Sequence, residues 1–200
     1  MQITSLQPTL QLLTADGQVH YFSGVFDQQK SAQLMQVLSE KIDWKQDVVK
    51  MYGKTITTKR QVAWYGEKDI VYRYSGIDRR ALPWTSELLQ IKEIAEKIVN
   101  KSFNSCLLNL YSNGSEGMAW HSDDEKELDP QIGILSISLG AERRFCFRHK
   151  TNDYKTELML ENGSVLWMDS ICQKFWKHSL PVMKKVQEPR INLTFRNILQ

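Results

Sequence analysis

Two segments in the first half of the chain carry apolar residues at the spacing of an α-helix. In residues 27–41 these positions are Leu34, Val37 and Leu38, and Asp27 before them is of a type that caps helix N-termini. Residues 85–100 repeat the pattern more regularly, at Leu88, Ile91, Ala95, Ile98 and Val99. We therefore expect two helices whose apolar faces cover a sheet.

From about residue 104 onward the period falls to two, which is typical of half-buried β-strands. Leu135, Ile137 and Leu139 alternate with serines, and a similar alternation surrounds Phe145 and Phe147. Further short runs occupy 156–160, 164–168, 174–180 and 190–196, and Asn162 with Gly163 marks a tight turn. Many short strands without intervening helices predict a mainly β member of the α+β class, with a jelly-roll or barrel core.

Composition limits the kind of protein without identifying its chemistry. The 200 residues, 42% of them hydrophobic and 24% charged, fit one globular domain. No apolar run approaches the roughly 18 residues that span a bilayer, and the N-terminal segment lacks the pattern of a secretory signal. Cys106, Cys146 and Cys172 form no CxxC pair, which indicates reduced thiols. We expect a cytoplasmic protein, or a nuclear one in a eukaryote, without membrane contact.

The net charge of +3 is too small to identify a polyanionic partner, but the basic residues are clustered. One cluster comprises Lys50, Lys54, Lys59 and Arg60, and the other Arg143, Arg144, Arg148 and Lys150. Such clusters either contact phosphates or form solvated strand edges, and the sequence leaves both interpretations open.

A candidate metal site begins with His121 and Asp123, which project to the same side of an extended segment. His178 would complete the triad of two histidines and one carboxylate that holds non-haem iron(II) and leaves positions open. The HxD spacing alone is common and does not separate a metal site from an ordinary polar pair. His178 is preferred to His20 and His149 because it precedes a strand that carries two arginines.

That strand, RINLTFR, alternates apolar residues with the polar set Arg190, Asn192, Thr194 and Arg196. If the polar face points inward, burying two cations is costly unless anions neutralise them. A small dicarboxylate would do so, since the guanidinium group binds a carboxylate through two parallel hydrogen bonds. If the strand lies at an edge, the same face is solvated. Asn109 and Tyr111 share one face of an earlier strand and could contact the same ligand.

Several motifs together resemble the AlkB family of nucleic-acid dealkylating dioxygenases, and within it the group that repairs alkylated DNA. They are NLYSNG, WHSDDE, LSISLG, ERRFCFRHK, ENGSVLWM, KHSLPV and EPRINLTFR. The resemblance covers residues 43–197. It implies a single domain over 1–200, with a double-stranded β-helix core at 104–197, supporting N-terminal helices and a nucleotide-recognition lid at 44–80.

The resemblance also implies chemistry. Fe(II) would be held by the triad already named, with 2-oxoglutarate and dioxygen as co-substrates. Arg190 would pair with the distal carboxylate of 2-oxoglutarate, assisted by Tyr111 and Asn192, whereas Arg196 and Asn109 would serve its metal-proximal end. The expected reaction removes a methyl group from N1 of adenine or N3 of cytosine in DNA as formaldehyde. Alternatives are a related enzyme that acts on RNA or a protein side chain, and a non-catalytic binding module.

A base must leave the duplex, or come from a single strand, to reach a buried iron. By the resemblance, the candidate contacts to the substrate are Tyr52, Arg60, Trp64, Tyr72, Tyr74, Asp124 and Glu125. Tyr52 would fill the gap left by the flipped base, with Arg60 among the flanking phosphate contacts. Each also has a structural interpretation: a surface turn for Tyr52, sheet core for the other aromatic residues and a solvated loop for the acids. We expect a monomer that binds DNA, or RNA.

Overall fold

The computed structural model describes residues 7–51, 54–68, 70–74 and 77–199, with the backbone alone for 47–51, 54–56, 71–74 and 77–79. Its helices are α1 (Gln28–Lys41), α2 (Ser86–Val99) and α3 (Ser170–Phe175). Its strands are β1 (Leu10–Gln11), β2 (Val19–Phe22), β3 (Lys45–Met51), β4 (Lys54–Gly66), β5 (Val71–Tyr74), β6 (Ile77–Arg80), β7 (Leu82–Pro83), β8 (Ser105–Tyr111), β9 (Met118–His121), β10 (Ile134–Gly140), β11 (Arg143–His149), β12 (Lys155–Leu160), β13 (Ser164–Met168), β14 (Trp176–Leu180) and β15 (Arg190–Arg196).

Both long helices begin where their caps predict. The Asp27 carboxylate accepts a hydrogen bond from the Lys30 amide at 2.7 Å, and the Thr85 hydroxyl accepts one from the Leu88 amide at 3.2 Å. Helix α2 ends at Asn100, whose φ of 51° is the left-handed conformation common at helix C-termini. The two predicted helices are therefore confirmed.

The strands form two main sheets that enclose a polar interior. The larger sheet has nine strands in the order β1-β2-β13-β10-β15-β8-β4-β3, with β7 beside β4, and the smaller has the order β12-β11-β14-β9. Phe147 of the smaller sheet packs in one cluster with Leu166 and Met168 of the larger sheet, so the two sheets pack face to face. The predicted jelly-roll core is confirmed.

The main hydrophobic core lies on the outer side of the larger sheet, beneath the helices. It joins Leu38 and Ile91 of the helices to Leu135, Ile137 and Leu193 of the central strands. The polar residues of the central strands therefore point to the other side, toward the smaller sheet. The prediction that β10 is half-buried was wrong, because Ser136 and Ser138 are 9% and 2% exposed under that second sheet.

One local prediction needs correction. Residues 174 and 175 are helical, because the Asp169 carboxylate caps α3 at the Cys172 amide (2.7 Å) and the strand starts only at 176. The tight turn predicted at Asn162 and Gly163 is confirmed, and it joins β12 and β13, which belong to different sheets. Gly163 has φ of +76°, and a Cβ there would lie 2.1 Å from a backbone oxygen.

The cysteines agree with the prediction of reduced thiols: all three are free, and burial raises the thiol pKa of Cys106 and Cys172. In the part of the chain that the structure describes, no helix has the length and apolar character needed to cross a membrane.

Candidate active site

Sheet register brings the three predicted metal ligands together. His178 of β14 pairs directly with His121 of β9, and their Nε2 atoms lie 3.1 Å apart. Asp123 follows β9, and its two carboxylate oxygens lie 4.0 Å from the two Nε2 atoms. Bonds of roughly 2.0–2.2 Å to one ion allow ligand atoms to lie up to about 4 Å apart. The three side chains therefore fit a single metal ion.

The protonation states of this cluster also suit a metal. His121 Nδ1 lies 2.8 Å from the Ala119 carbonyl, which places its proton there and leaves Nε2 as a lone-pair donor. Burial lowers the pKa of His178 to about 3, so this ring is neutral at ordinary pH. Burial opposes ionisation of Asp123, but the charged Arg196, whose Nη2 donates to Oδ1 at 2.9 Å, holds the pKa of that carboxyl below its usual value.

Helix α3 supplies a support that the sequence pattern did not reveal. Gln173 is 4% exposed, and its Oε1 accepts a hydrogen bond from the Asp123 amide at 3.0 Å. Lys150 donates to the Gln173 carbonyl at 2.9 Å and to the Asp124 carboxylate at 3.2 Å. The segment after β9 is thereby fixed to α3. The sequence did contain one signal for α3, because Asp169 is of a residue type that caps helix N-termini. The alternating pattern of the KFWKHSL segment obscured this signal.

Replacing Gln173 with Leu should lower metal affinity by about 10-fold or more, because groups that orient metal ligands typically contribute 10–100-fold. The Asp123 amide would lose its acceptor while the volume of the side chain stays similar. Titration of metal-free protein with Co(II), followed by its visible absorption, measures the affinity directly. Lys174→Ala, a change at the exposed neighbouring residue, is the matched control. Equal affinities for wild type and Gln173→Leu would show that Gln173 does not position Asp123.

A cavity of about 330 Å³ adjoins the triad. All five residues predicted to contact the co-substrate line it: Asn109, Tyr111, Arg190, Asn192 and Arg196. Strand β15 lies between β10 and β8 in the middle of the larger sheet, which excludes the interpretation of an exposed edge strand. The polar face of β15 therefore points inward, which is one of the two interpretations that the sequence left open.

Arg190 is the main cation of this cavity and is 2% exposed. Its Nη2 donates to Ser138 Oγ at 2.9 Å, its guanidinium carbon lies 5.5 Å from the centre of the Tyr111 ring, and its Nε has no partner among the described residues. Burial lowers the pKa of Arg190 to about 10, so the group stays charged at neutral pH. No carboxylate of the described residues forms an ion pair with it, and a carboxylate ligand would supply one.

The neighbouring polar groups are arranged around the same space. Asn192 donates to Ser136 Oγ at 2.7 Å and accepts from Thr194 Oγ1 at 3.1 Å. Asn109 Oδ1 is buried without a partner in the described structure. Arg196 reaches the metal end of the cavity through its bond to Asp123. Sequence reasoning missed the two β10 serines, because alternation alone cannot tell a covered polar face from a solvated one.

The second basic cluster is not a uniform surface patch. Arg143 is fully buried and donates through Nη2 to the carbonyls of Glu116 at 2.7 Å and Pro181 at 2.9 Å. It ties two loops together beside Tyr111, so for Arg143 both interpretations, a phosphate contact and a solvated strand edge, were wrong. Arg144 is exposed and pairs with Glu157 at 3.9 Å.

The predicted substrate contacts lie in different surroundings. Trp64 is 8% exposed and packs with Ile70 and Ile198, so most of its surface is covered. Arg60 is 7% exposed, with Nη1 3.2 Å from Met118 Sδ at the cavity wall. Tyr52 lies outside the described residues, as do the side chains of Tyr72 and Tyr74. These contacts remain predictions.

The two acidic candidates differ in their access to the cavity. Asp124 is exposed and pairs with Lys150 at 3.2 Å. Glu125 lines the cavity, and its Oε2 atom is buried without a hydrogen-bond partner among the described residues. Glu125 is therefore the better placed of the two to contact a base held near the triad.

Comparisons with known proteins agree with this geometry. The model of the 2OG-Fe(II) oxygenase superfamily matches residues 18–196. The human DNA oxidative demethylase ALKBH2 is 34% identical over 206 residues, which cover 98% of this chain and 79% of that protein. Human alpha-ketoglutarate-dependent dioxygenase alkB homolog 3 is 34% identical, covering 92% and 68% of the two chains. The solved structure of OsALKBH1 has a TM-score of 0.65 at 16% identity, covering 90% of this chain and 97% of the other, and supports the fold alone.

Proposed function

Because the chain belongs to the AlkB family of the 2OG-Fe(II) oxygenase superfamily, we propose that it demethylates N1-methyladenine and N3-methylcytosine in DNA and thereby repairs alkylation damage. Family membership confirms the resemblance found in the sequence. The chain is an Fe(II)- and 2-oxoglutarate-dependent dioxygenase that uses dioxygen. The choice of DNA is supported by relatives that are named DNA oxidative demethylases in human and mouse.

One observation carries the proposal: a metal triad faces the same cavity as a buried cation, Arg190, that has no carboxylate partner among the described residues. His121, Asp123 and His178 would hold Fe(II), and Arg190 would bind the distal carboxylate of 2-oxoglutarate. When bound, the iron and co-substrate supply oxidation of a methyl C–H bond, coupled to loss of carbon dioxide and formation of succinate. The residues of the chain position the co-substrate and the methyl group and exclude water from the site.

Each polar residue of the cavity has a definite task in this scheme. Arg190 fixes one end of the dicarboxylate, with the Tyr111 ring beside it, and Asn192 and Asn109 offer hydrogen bonds along its length. Arg196 keeps Asp123 ionised and oriented through the 2.9 Å hydrogen bond. Since Arg190, Asn192 and Arg196 are already held by neighbouring groups, they need little rearrangement when the co-substrate binds.

The product chemistry explains why a methylated ring nitrogen is a suitable substrate. Oxidation converts the N-methyl group into N-hydroxymethyl. Loss of the hydroxyl proton then breaks the C–N bond, the ring nitrogen keeps the electron pair, and formaldehyde leaves the unmodified base. Both proposed lesions are cationic before reaction, and the Glu125 carboxylate at the cavity wall, whose Oε2 atom is buried, would favour a positively charged base.

We assign the remaining parts of the chain in the same proposal. Residues 1–200 would act as one domain and as a monomer, with 104–197 as the catalytic core and 44–80 as the nucleotide-recognition lid. The antiparallel pairs β3 with β4 and β5 with β6 are consistent with a lid built from hairpins. The base would enter from a single strand or after flipping from a duplex.

An activity panel tests the proposal. N1-methyladenine and N3-methylcytosine are presented in single-stranded DNA, duplex DNA and RNA, beside a methylated peptide, and formaldehyde and succinate are measured. We expect release of formaldehyde from methylated DNA, dependent on Fe(II) and 2-oxoglutarate, and none with His121→Ala. Faster release of formaldehyde from RNA or from the peptide would show that RNA or the peptide, and not DNA, is the preferred substrate. A purified protein that neither retains iron nor consumes 2-oxoglutarate in the presence of ascorbate would favour the non-catalytic binding module.

A further inference from the structure

Arg143 is a second buried cation near the end of the cavity that Arg190 occupies. Its side chain is fully buried, and its partners among the described residues are backbone carbonyls, including those of Glu116 and Pro181. The Glu116 carboxylate accepts instead from the Ser112 amide, at 3.0 Å. The Nε atom of Arg143 has no hydrogen-bond partner in that part of the chain. A charge that is buried without a carboxylate partner is costly, so its presence needs an explanation.

The Tyr111 ring contacts both cations. Tyr111 pairs in register with Arg190 on the neighbouring strand, so the two side chains share the inward face of the sheet. The guanidinium carbons of Arg190 and Arg143 lie 5.5 Å and 5.9 Å from the centre of the ring, within the range of a cation–π contact. Tyr111 and Arg190 line the cavity, whereas Arg143 does not. Arg143 is therefore one residue removed from the cavity, and the Tyr111 ring is the link.

Arg143 also fixes the backbone that follows Tyr111. Its carbonyl partners lie in residues 112–117, which follow β8, and in residues 181–189, which follow β14. Gly114 in the first segment bonds to the second segment through both its amide and its carbonyl, each at 2.8 Å. Since the first segment begins directly after Tyr111, a guanidinium group that holds both segments also restricts the position of the Tyr111 ring.

A structural tie alone does not account for a cation at this position. Neutral amide donors could bond the same carbonyls at a lower cost of burial. Burial is the main cause of the lowered pKa of Arg190, and the positive charge of Arg143 lowers it further, so the two cations disfavour each other. What the charge of Arg143 adds is its attraction to the Tyr111 ring, which is stronger in a dry interior.

We propose that Arg143 is a positioning residue for the co-substrate. By holding the Tyr111 ring beside Arg190, it keeps the distal carboxylate of 2-oxoglutarate in place and favours a dicarboxylate with a long arm over an anion that binds only the metal. This inference deepens the proposed function and rests on the role proposed there for Arg190.

Isothermal titration calorimetry of the full chain, loaded with Mn(II) in place of iron, tests the inference without turnover. 2-Oxoglutarate is compared with oxalate, which binds a metal through two oxygens but has no arm that reaches Arg190. Arg143→Gln, which keeps amide donors but no charge, should weaken binding of 2-oxoglutarate about tenfold, since a desolvated cation beside an aromatic ring contributes on that order. The affinity for oxalate should stay near that of the wild type. Arg144→Ala, at the exposed neighbouring residue, is the matched control.

Two further variants separate the charge of Arg143 from its hydrogen bonds. Arg143→Lys keeps a cation with fewer donors, so it should bind 2-oxoglutarate more tightly than Arg143→Gln does. A tie between segments would give the opposite order or equal losses for 2-oxoglutarate and oxalate, and either result would overturn the inference. In a Tyr111→Leu background, exchanging Arg143 for Gln or Lys should change the affinity by less than about twofold, because the ring that links Arg143 to the ligand is absent. Full additivity with Tyr111→Leu would also contradict the inference.

Arg190→Met in the same titration distinguishes a failure of this inference from a failure of the proposed function. Weak binding of 2-oxoglutarate in Arg190→Met, together with wild-type affinity in Arg143→Gln, would overturn only the role of Arg143. Wild-type affinity in Arg190→Met would overturn the proposed role of Arg190 and, with it, this inference. Thermal unfolding of each ligand-free variant verifies that the protein is folded before the titration.

Discussion

Replacing Arg190 with Met should raise the concentration of 2-oxoglutarate needed for half-maximal turnover by 100-fold or more while leaving the ligand-free protein at least as stable as the wild type. Arg190 is 2% exposed, and no carboxylate of the described residues neutralises it. Exchanging a buried charge for an apolar side chain of similar volume is often neutral or stabilising. A bound carboxylate that loses the cation paired with it, by contrast, costs about 3–5 kcal/mol.

Thermal unfolding with and without 2-oxoglutarate separates the two effects. In the wild type, the co-substrate with Mn(II) in place of iron should raise the melting temperature, because only the folded state binds it. In Arg190→Met this increase should vanish, although the melting temperature without ligand does not fall. Arg190→Lys should retain part of the increase, since one charge remains without the planar fork. An unchanged co-substrate affinity in Arg190→Met would mean that the carboxylate binds elsewhere.

Replacing Asp123 with Ala should abolish turnover, remove bound iron and also destabilise the fold. The triad would lose its only carboxylate, and Arg196 would lose the hydrogen bond of 2.9 Å from its buried guanidinium group. Removing one member of a buried ion pair costs about 3 kcal/mol or more. Metal analysis of the purified variant, formaldehyde release and denaturation in urea measure the three consequences.

A double variant divides the two roles of Asp123. Asp123→Ala with Arg196→Met should recover part of the lost stability, because the buried cation is removed as well, but should bind no more iron than Asp123→Ala. His121→Ala should lose iron at a smaller cost in stability, because the His121 side chain is 35% exposed and has no arginine partner. Full iron content in Asp123→Ala would exclude Asp123 as a ligand.

The sequence predicted the elements whose periodicity is local. Helix α2 was expected at 85–100 and is found at Ser86–Val99, and the strand at 190–196 has the predicted bounds. The apolar pattern of α2 extends over at least two helical turns, and that of β15 extends over several alternations. Each pattern is therefore long enough to identify its element from neighbouring residues alone. Helix α3 has six residues and is followed at once by a strand, so its pattern is too short to separate from the strand's alternation.

The site could be predicted only in part, because its residues meet through pairings that the local pattern does not encode. The register that sets His178 opposite His121 joins residues 57 positions apart. Through a family resemblance, the motifs predicted which residues belong to the site. They did not predict the hydrogen bond by which Ser138 holds Arg190. Charge in the sequence likewise could not distinguish Arg143, which binds carbonyls in two distant loops, from Arg144, which is exposed.

The central position of β15 has a consequence for synthesis of the protein. In sequence β15 follows every other strand, yet in space it fills the gap between β10 and β8. Until residues 190–196 leave the ribosome, the two strands that flank the gap have no partner along those edges, and the core beneath them stays open. A nascent chain that stops short of this segment has its histidine and aspartate ligands but neither a closed sheet nor Arg190. Folding and the capacity to bind the co-substrate should therefore appear together, only after residues 190–196 have been synthesised, so that chains that stop before this segment cannot consume 2-oxoglutarate.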